Sequence, residues 1–108
     1  MFEAYGLFLD WDPGKARENL AKHKVSFEEA ATVFGDPQAL YGEDEEHSTP
    51  DERRQVVIGT SDRQRVLTVT FTERERMVQI NGHKRTVVIR IITAARATRR
   101  ERHDYEEK

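Results

Sequence analysis

The sequence predicts an α+β fold, with one antiparallel sheet and helices packed on one side of it. Apolar residues recur at helical spacing from Ala16 to Phe34. From Gln55 to Thr93 they alternate or run together as β-branched stretches. Asn81-Gly82, a strong two-residue hairpin signal, lies between two of those stretches. The chain has 108 residues, which suits a single domain spanning 1–108 with one core. Only 36% of residues are hydrophobic and 35% are charged, so folding rests on the clustering of the apolar residues rather than their number.

Phe2 to Trp11, with Leu7 and Leu9 alternating, reads as a short first strand. Asp12 caps a helix, and Pro13 takes its first position, where a missing N–H is harmless. Ala16, Leu20 and His23 follow at helical spacing. Ser26 and Glu29 form a capping box for a second helix, with Val25 and Ala30 at the staple positions. Phe27, Ala30, Ala31 and Phe34 make its apolar stripe. Gly35-Asp36-Pro37 ends it, because Gly tolerates a left-handed cap and Pro cannot continue a helix. Gly42 to Glu52 is acidic, lacks apolar residues and reads as an exposed loop within the domain.

Three strands follow. Gln55 to Thr60 is β-branched, and Ser61-Asp62-Arg63 turns the chain. Val66 to Thr72 sets Leu67, Val69 and Phe71 on one face and three threonines on the other. Thr86 to Thr93 is apolar except for Arg90, and Met77–Ile80 with His83–Arg85 extend the last two strands outward as an arm. Thr98 and Glu101 cap a polar helix running to Tyr105. Short connections predict a meander, and Leu67, Val69 and Phe71 are expected to pack on Phe27, Ala30 and Phe34.

No apolar run approaches the ~18 residues that would cross a membrane. The first residues carry no basic stretch ahead of an apolar one, and there is no cysteine for a disulfide, thiolate or zinc site. These features predict a cytoplasmic protein. The net charge of −2 is divided, with −7 on residues 1–54 and +5 on residues 55–108. Thirteen of the 18 basic residues are Arg, which suits bidentate phosphate or carboxylate recognition, although GC-rich coding gives the same bias. Without an overall positive excess, nucleic-acid binding requires the charge to be gathered on one face.

Arg90 is the most informative residue, because a charge within Val87-Val88-Ile89-Arg90-Ile91-Ile92 must be paired or face solvent. It either pairs with Glu73 or Glu75 across the hairpin, lies on an exposed face, or is held on the strand to bind a phosphate. A turn centred on Asn81-Gly82 sets Glu73 opposite Arg90, and an intervening bulge would change that register. Arg53, Arg54, Arg74, Arg76 and Arg96 lie near strand ends, and together they outline an anion site. His23, between Lys22 and Lys24 at a helix end, suits either a helix-dipole contact or proton transfer. His47 stands among acids, but no histidines show metal-ligand spacing. There is no Gly-rich phosphate loop and no Gly-x-Ser-x-Gly. The remaining Arg, Lys, His and Glu suit RNA cleavage by the substrate's own 2′-hydroxyl, which needs a base, an acid and cations but no cofactor.

The chain also resembles the BrnT-type toxins of bacterial type II toxin–antitoxin systems. The matching pieces are Phe8-Leu9-Asp10-Trp11-Asp12-Pro13 with Lys15 and Asn19, Lys22-His23-Lys24-Val25-Ser26-Phe27-Glu28-Glu29-Ala30, and Val33-Phe34-Gly35-Asp36-Pro37. Asp51-Glu52-Arg53-Arg54, Thr72-Glu73-Arg74 and Ile89-Arg90-Ile91-Ile92-Thr93-Ala94-Ala95-Arg96-Ala97-Thr98 follow, with Glu101 and Tyr105. The resemblance implies a RelE-like fold and a metal-independent endoribonuclease that inhibits translation. It also implies a cognate ribbon-helix-helix antitoxin, a toxin–antitoxin hetero-oligomer, and contact with promoter DNA only through that complex. Carried onto this chain, the functional positions are Lys22, His23, Glu52, Arg54, Arg74, Arg90 and Arg96. Three departures stand out, one of them an extra Ala in Thr93-Ala94-Ala95-Arg96 that would shift Arg96. Lys24 occupies a position where the family usually has Gly, and the hairpin between Glu75 and Val88 is longer than the family's usual short turn.

Two functions follow. The first is a ribonuclease toxin, with arginines on the scissile phosphate, His23 and Lys22 near proton transfer, and Glu52 as a candidate base. The alternative is a non-catalytic partner protein that uses the same surface to bind protein or nucleic acid.

Overall fold

A computed structural model describes residues 2–79 and 82–108 of the chain. The strands are β1 (Phe2–Ala4), β2 (Leu7–Asp10), β3 (Leu40–Glu43), β4 (Arg54–Thr60), β5 (Val66–Gln79) and β6 (His83–Arg96). The helices are α1 (Pro13–His23), α2 (Phe27–Thr32) and α3 (Arg99–Glu106), with a 3-10 turn at Val33–Gly35. The fold is α+β, and the six strands form one sheet in the order β1-β2-β6-β5-β4-β3. Every neighbouring pair is antiparallel except β2 and β6, which run parallel.

The expected first strand is two strands. Tyr5 and Gly6 both take positive φ, 56° and 75°, which makes the tight turn that pairs Ala4 with Leu7. Lacking Asn or Asp, that turn leaves little trace in the sequence. The acidic loop is also shorter than expected, since Gly42 and Glu43 belong to β3 and pair with Val56 and Gln55.

One core joins the sheet to α1 and α2. Leu67, Val69 and Phe71 are buried with Phe27, Ala30 and Phe34, as the two apolar stripes require. Phe34 meets Phe71 edge-on at 5.2 Å between ring centres. Gly35 does not use left-handed backbone; it is needed because a Cβ there would sit 2.4 Å from the Tyr5 ring. Lys24 does adopt the left-handed conformation, φ 60° and ψ 31°, and donates its N–H to the Leu20 carbonyl as the cap of α1. Lys24→Gly is therefore expected to stabilise the fold by roughly 0.5–1 kcal/mol. The check is a higher urea midpoint at unchanged slope.

The Ser26 capping box is half formed. Ser26 accepts the Glu29 N–H, but the Glu29 side chain turns away into the protein. There it takes Arg65 Nε at 2.9 Å, a second Arg65 nitrogen, and Ser61 Oγ at 2.6 Å. Arg65 holds the Glu29 carboxyl below its usual range; burial opposes this, and Ser61 and Arg63 reinforce it. Because the folded-state value is depressed, this contribution to stability is complete above the unfolded value near ~4.3 and drains as pH falls through the folded value. Glu29→Gln should cost about 2 kcal/mol at pH 7. Urea midpoints of the two proteins should converge as pH falls below about 4.

Tyr105 anchors α3. Tyr105 donates its hydroxyl to Asp36 and lies 3.0 Å from Thr60 Oγ1, while the Thr60 N–H also donates to Asp36. Burial would push the Asp36 carboxyl up, but these donors, with the Gln38 N–H, hold it below its ordinary value.

β5 and β6 outrun their neighbours. β4 pairs with β5 only as far as Thr72, and β2 pairs with β6 only over Val88 to Arg90. Beyond these points the two strands continue as the expected two-stranded arm, to the pair Gln79 and His83. Ile80 and Asn81 of the expected Asn81-Gly82 turn lie outside the described residues.

Candidate active site

Three residues, 80–82, separate the paired ends of the arm, not two. The register therefore differs by one residue from the expected one: Arg90 faces Thr72, and Glu73 faces Ile89. A one-residue change moves every side chain to the other face. Thr72 and Arg90 thus share the face opposite buried Phe71 and Ile91.

Four strands place one row of residues across that open face: Asp10 beside Arg90, Arg90 beside Thr72, and Thr72 beside Arg54. Strands lie about 4.8 Å apart, so Arg54 and Arg90 stand roughly 10 Å apart along the row. Arg74 and Arg76, two and four residues past Thr72, project from the same face.

Two carboxylates clamp these arginines in pairs. Asp10 accepts Arg76 Nη1 at 2.6 Å and Arg90 Nη1 at 3.4 Å. Glu52 accepts Arg74 Nη2 at 2.9 Å and Arg54 Nε at 3.4 Å. The Asp10 side chain is only 12% exposed and Arg90 30%, which answers how the apolar strand carries a charge. Asp10, Arg74, Glu75, Arg76, Val88 and Arg90 line a cleft of about 420 Å³. Between the clamps the Thr72 hydroxyl is buried and has no hydrogen-bond partner among the described residues.

Glu52 is positioned by the loop before β4, which hydroxyls hold in shape. Thr49 Oγ1 accepts the Glu52 N–H at 3.0 Å, and the Thr49 N–H donates to the Glu52 carbonyl at 2.8 Å. Ser48 Oγ accepts the Arg54 N–H at 2.8 Å and donates to the Asp44 carbonyl.

Lys22 and His23 form a second group. With Lys15, Glu18 and Asn19 of α1 they line a cleft of about 160 Å³ against Ile92 and Thr93. Thr93 is three residues past Arg90, roughly 10 Å along β6. The helix sits there because β2 has ended. Asn19 takes the place of a neighbouring strand, donating to the Ala94 carbonyl at 2.8 Å and accepting the Ala94 N–H at 3.0 Å.

Arg96 belongs to neither group. Thr70 pairs with Thr93 and Phe71 with Ile91, so Ile92 is an extra residue in β6. This bulge reverses the alternation, and Arg96 pairs with buried Leu67 on the helix side of the sheet. There it lines a separate cleft with Arg65 and Arg102. His47 turns to Asp44 at 3.0 Å, and no three His, Asp or Glu side chains gather at metal-binding distance among the described residues.

The structure therefore gathers Glu52, Arg54, Arg74 and Arg90, sets Lys22 and His23 farther along β6, and removes Arg96. It adds Asp10 and Lys15, and draws in Arg76 from the wider anion site that the sequence outlined. Asp10 escaped notice because its partner lies 80 residues away on a parallel strand. Its one sequence signal is a carboxylate at the end of Leu7–Asp10, a run otherwise apolar.

The fold is similar to that of the ribonuclease toxin BrnT of Brucella abortus, known from a crystal structure. The TM-score is 0.54 at 18% sequence identity, over 86% of this chain and 99% of that one. Comparison with curated proteins returns no match. The profile of a family described as the ribonuclease toxin, BrnT, of type II toxin–antitoxin systems matches residues 11–101. A match over that much of its length makes this chain a member of the BrnT family of ribonuclease toxins.

Proposed function

We propose that this chain is a metal-independent endoribonuclease whose site is the open-face row of arginines with the Lys22–His23 cleft beside it. The observation that carries this reading is the convergence of Arg54, Arg74, Arg76 and Arg90 from three strands onto one surface. Charge-assisted, fork-shaped donors suit a phosphate whose non-bridging oxygens gain charge during attack. The 2′-hydroxyl loses its proton to a base and its oxygen bonds to phosphorus. The bond to the 5′-oxygen breaks, and that oxygen takes up a proton from an acid. The products are a 2′,3′-cyclic phosphate and a 5′-hydroxyl. His23 suits proton transfer near neutral pH, with Lys22 beside it. Glu52 is the nearer carboxylate base to Arg54 and Arg74, and leaves their clamp when phosphate takes its place.

The wider setting we infer, with family membership as its support, is a RelE-like fold, action in the cytoplasm, arrest of translation, and neutralisation by a ribbon-helix-helix antitoxin in a hetero-oligomer that alone meets promoter DNA. No helix among the described residues is long and apolar enough to cross a membrane. The alternative, a non-catalytic binding partner, draws on one observation: each of the four arginines already has a carboxylate, so little free charge remains.

The test is purified chain with RNA in excess chelator. Cleavage should persist and yield 2′,3′-cyclic ends. Loss of cleavage restored by magnesium overturns the mechanism, and RNA binding with no cleavage favours the alternative.

A further inference from the structure

The arm brings one arginine to the site that the rest of the sheet does not supply. Arg76 faces Thr86, four residues along β5 from the row that holds Asp10 and Arg90. That offset is roughly 13 Å along a flat strand. Its guanidinium nevertheless meets Asp10 at 2.6 Å, closer than Arg90 does, so the arm leans back over the open face. The result is two matched seats. Each consists of two arginines from different strands converging on one carboxylate: Arg54 and Arg74 on Glu52, Arg76 and Arg90 on Asp10.

We propose that these seats hold two successive phosphates of one RNA strand: the scissile phosphate on the Glu52 side, within reach of Arg90 in the middle of the row, and the next phosphate on the Asp10 side, where Arg76, the arm's contribution, is its positioning residue. The proposal rests on the ribonuclease reading above. A phosphate oxygen pair presents the same geometry to a guanidinium fork as the carboxylate it displaces. Asp10 and Glu52 keep the four side chains aimed before substrate arrives, which limits the ordering cost of binding. The arm thereby sets a minimum substrate length rather than the chemistry.

The experiment measures binding of uncleavable 2′-deoxy oligonucleotides, one with a single phosphate and one with three, at several salt concentrations. Arg76→Ala should weaken binding of the three-phosphate strand roughly tenfold and change that of the single-phosphate strand less than about twofold. Its log–log salt slope on the longer strand should be shallower by about 0.7, one phosphate contact. Arg76→Lys, which keeps the charge and the Asp10 pair, should restore the slope. Thermal midpoints report whether each variant is folded. Equal losses on both strands, or no loss on either, overturn the two-seat proposal while leaving the ribonuclease reading intact. Failure of the unaltered chain to bind either strand, or to cleave RNA, overturns the reading itself.

Discussion

Arg90→Ala is expected to slow RNA cleavage by roughly 10²–10³-fold, the usual loss when one preorganised donor to a developing oxyanion is removed. Arg90 is fixed on three sides. Thr72 and Asp10 flank it in register, and Val88 and Ile92 along its own strand are buried. A side chain so held reorganises little when charge develops, so its removal should lower kcat and also raise KM. The fold should survive, because Asp10 keeps Arg76 as a partner and the exposed part of the pair contributes little. Single-turnover cleavage across RNA concentrations, with a thermal midpoint for each protein, separates these effects. His23→Gln provides the contrast: cleavage should fall while RNA affinity stays nearly constant, since little charge is lost. If Arg90→Ala cleaves within about threefold of the unaltered chain, the open-face row is not the catalytic surface.

Arg90 was legible in the sequence because a charge inside an apolar strand must be explained, and desolvation makes that demand local. The helices were legible for the same kind of reason. Asp12, Ser26 and Thr98 cap them as their side chains dictate, and each accepts the expected backbone N–H. What escaped was non-local. The pairing of Gln79 with His83 set Arg90 against Thr72, and the extra Ile92 sent Arg96 to the other face. Neither event alters the hydrophobic pattern, because Ile91 and Ile92 are both buried and either could continue the stripe. The Glu52 clamp depended on Ser48 and Thr49 closing a loop whose composition speaks only of exposure. Asp10 needed the parallel pairing of β2 with β6, and a two-residue turn at Tyr5-Gly6 had to separate β2 from β1 first.

Asn19→Ala is expected to destabilise the fold by about 3–5 kcal/mol, more than Glu29→Gln. In an antiparallel pair, alternate residues turn both backbone groups away from the partner strand. Ala94, opposite Val69, is such a residue, and β2 no longer covers that edge. The Asn19 amide accepts the Ala94 N–H and donates to the Ala94 carbonyl, and its nitrogen also donates to the Val25 carbonyl at 2.9 Å. Asn19 is 6% exposed, and Val25 and Ala94 are fully buried, so water cannot readily replace the lost partners. Three buried groups at about 1–3 kcal/mol each span roughly 3–9 kcal/mol if none relaxes, and some relaxation of α1 keeps the loss in the lower part of that span. That relaxation has a functional reading, because α1 carries Lys22 and His23 against Ile92 and Thr93. At temperatures where Asn19→Ala remains folded, its cleavage should fall more than its RNA affinity, as the helix drifts from β6 while the arginine row stays on the sheet. Asn19→Asp should not rescue it, since a carboxylate cannot donate to the two carbonyls. An unfolding free energy from urea titration within about 1 kcal/mol of that of the unaltered chain would mean that the edge of β6 finds other partners and that α1 is held by its apolar contacts alone.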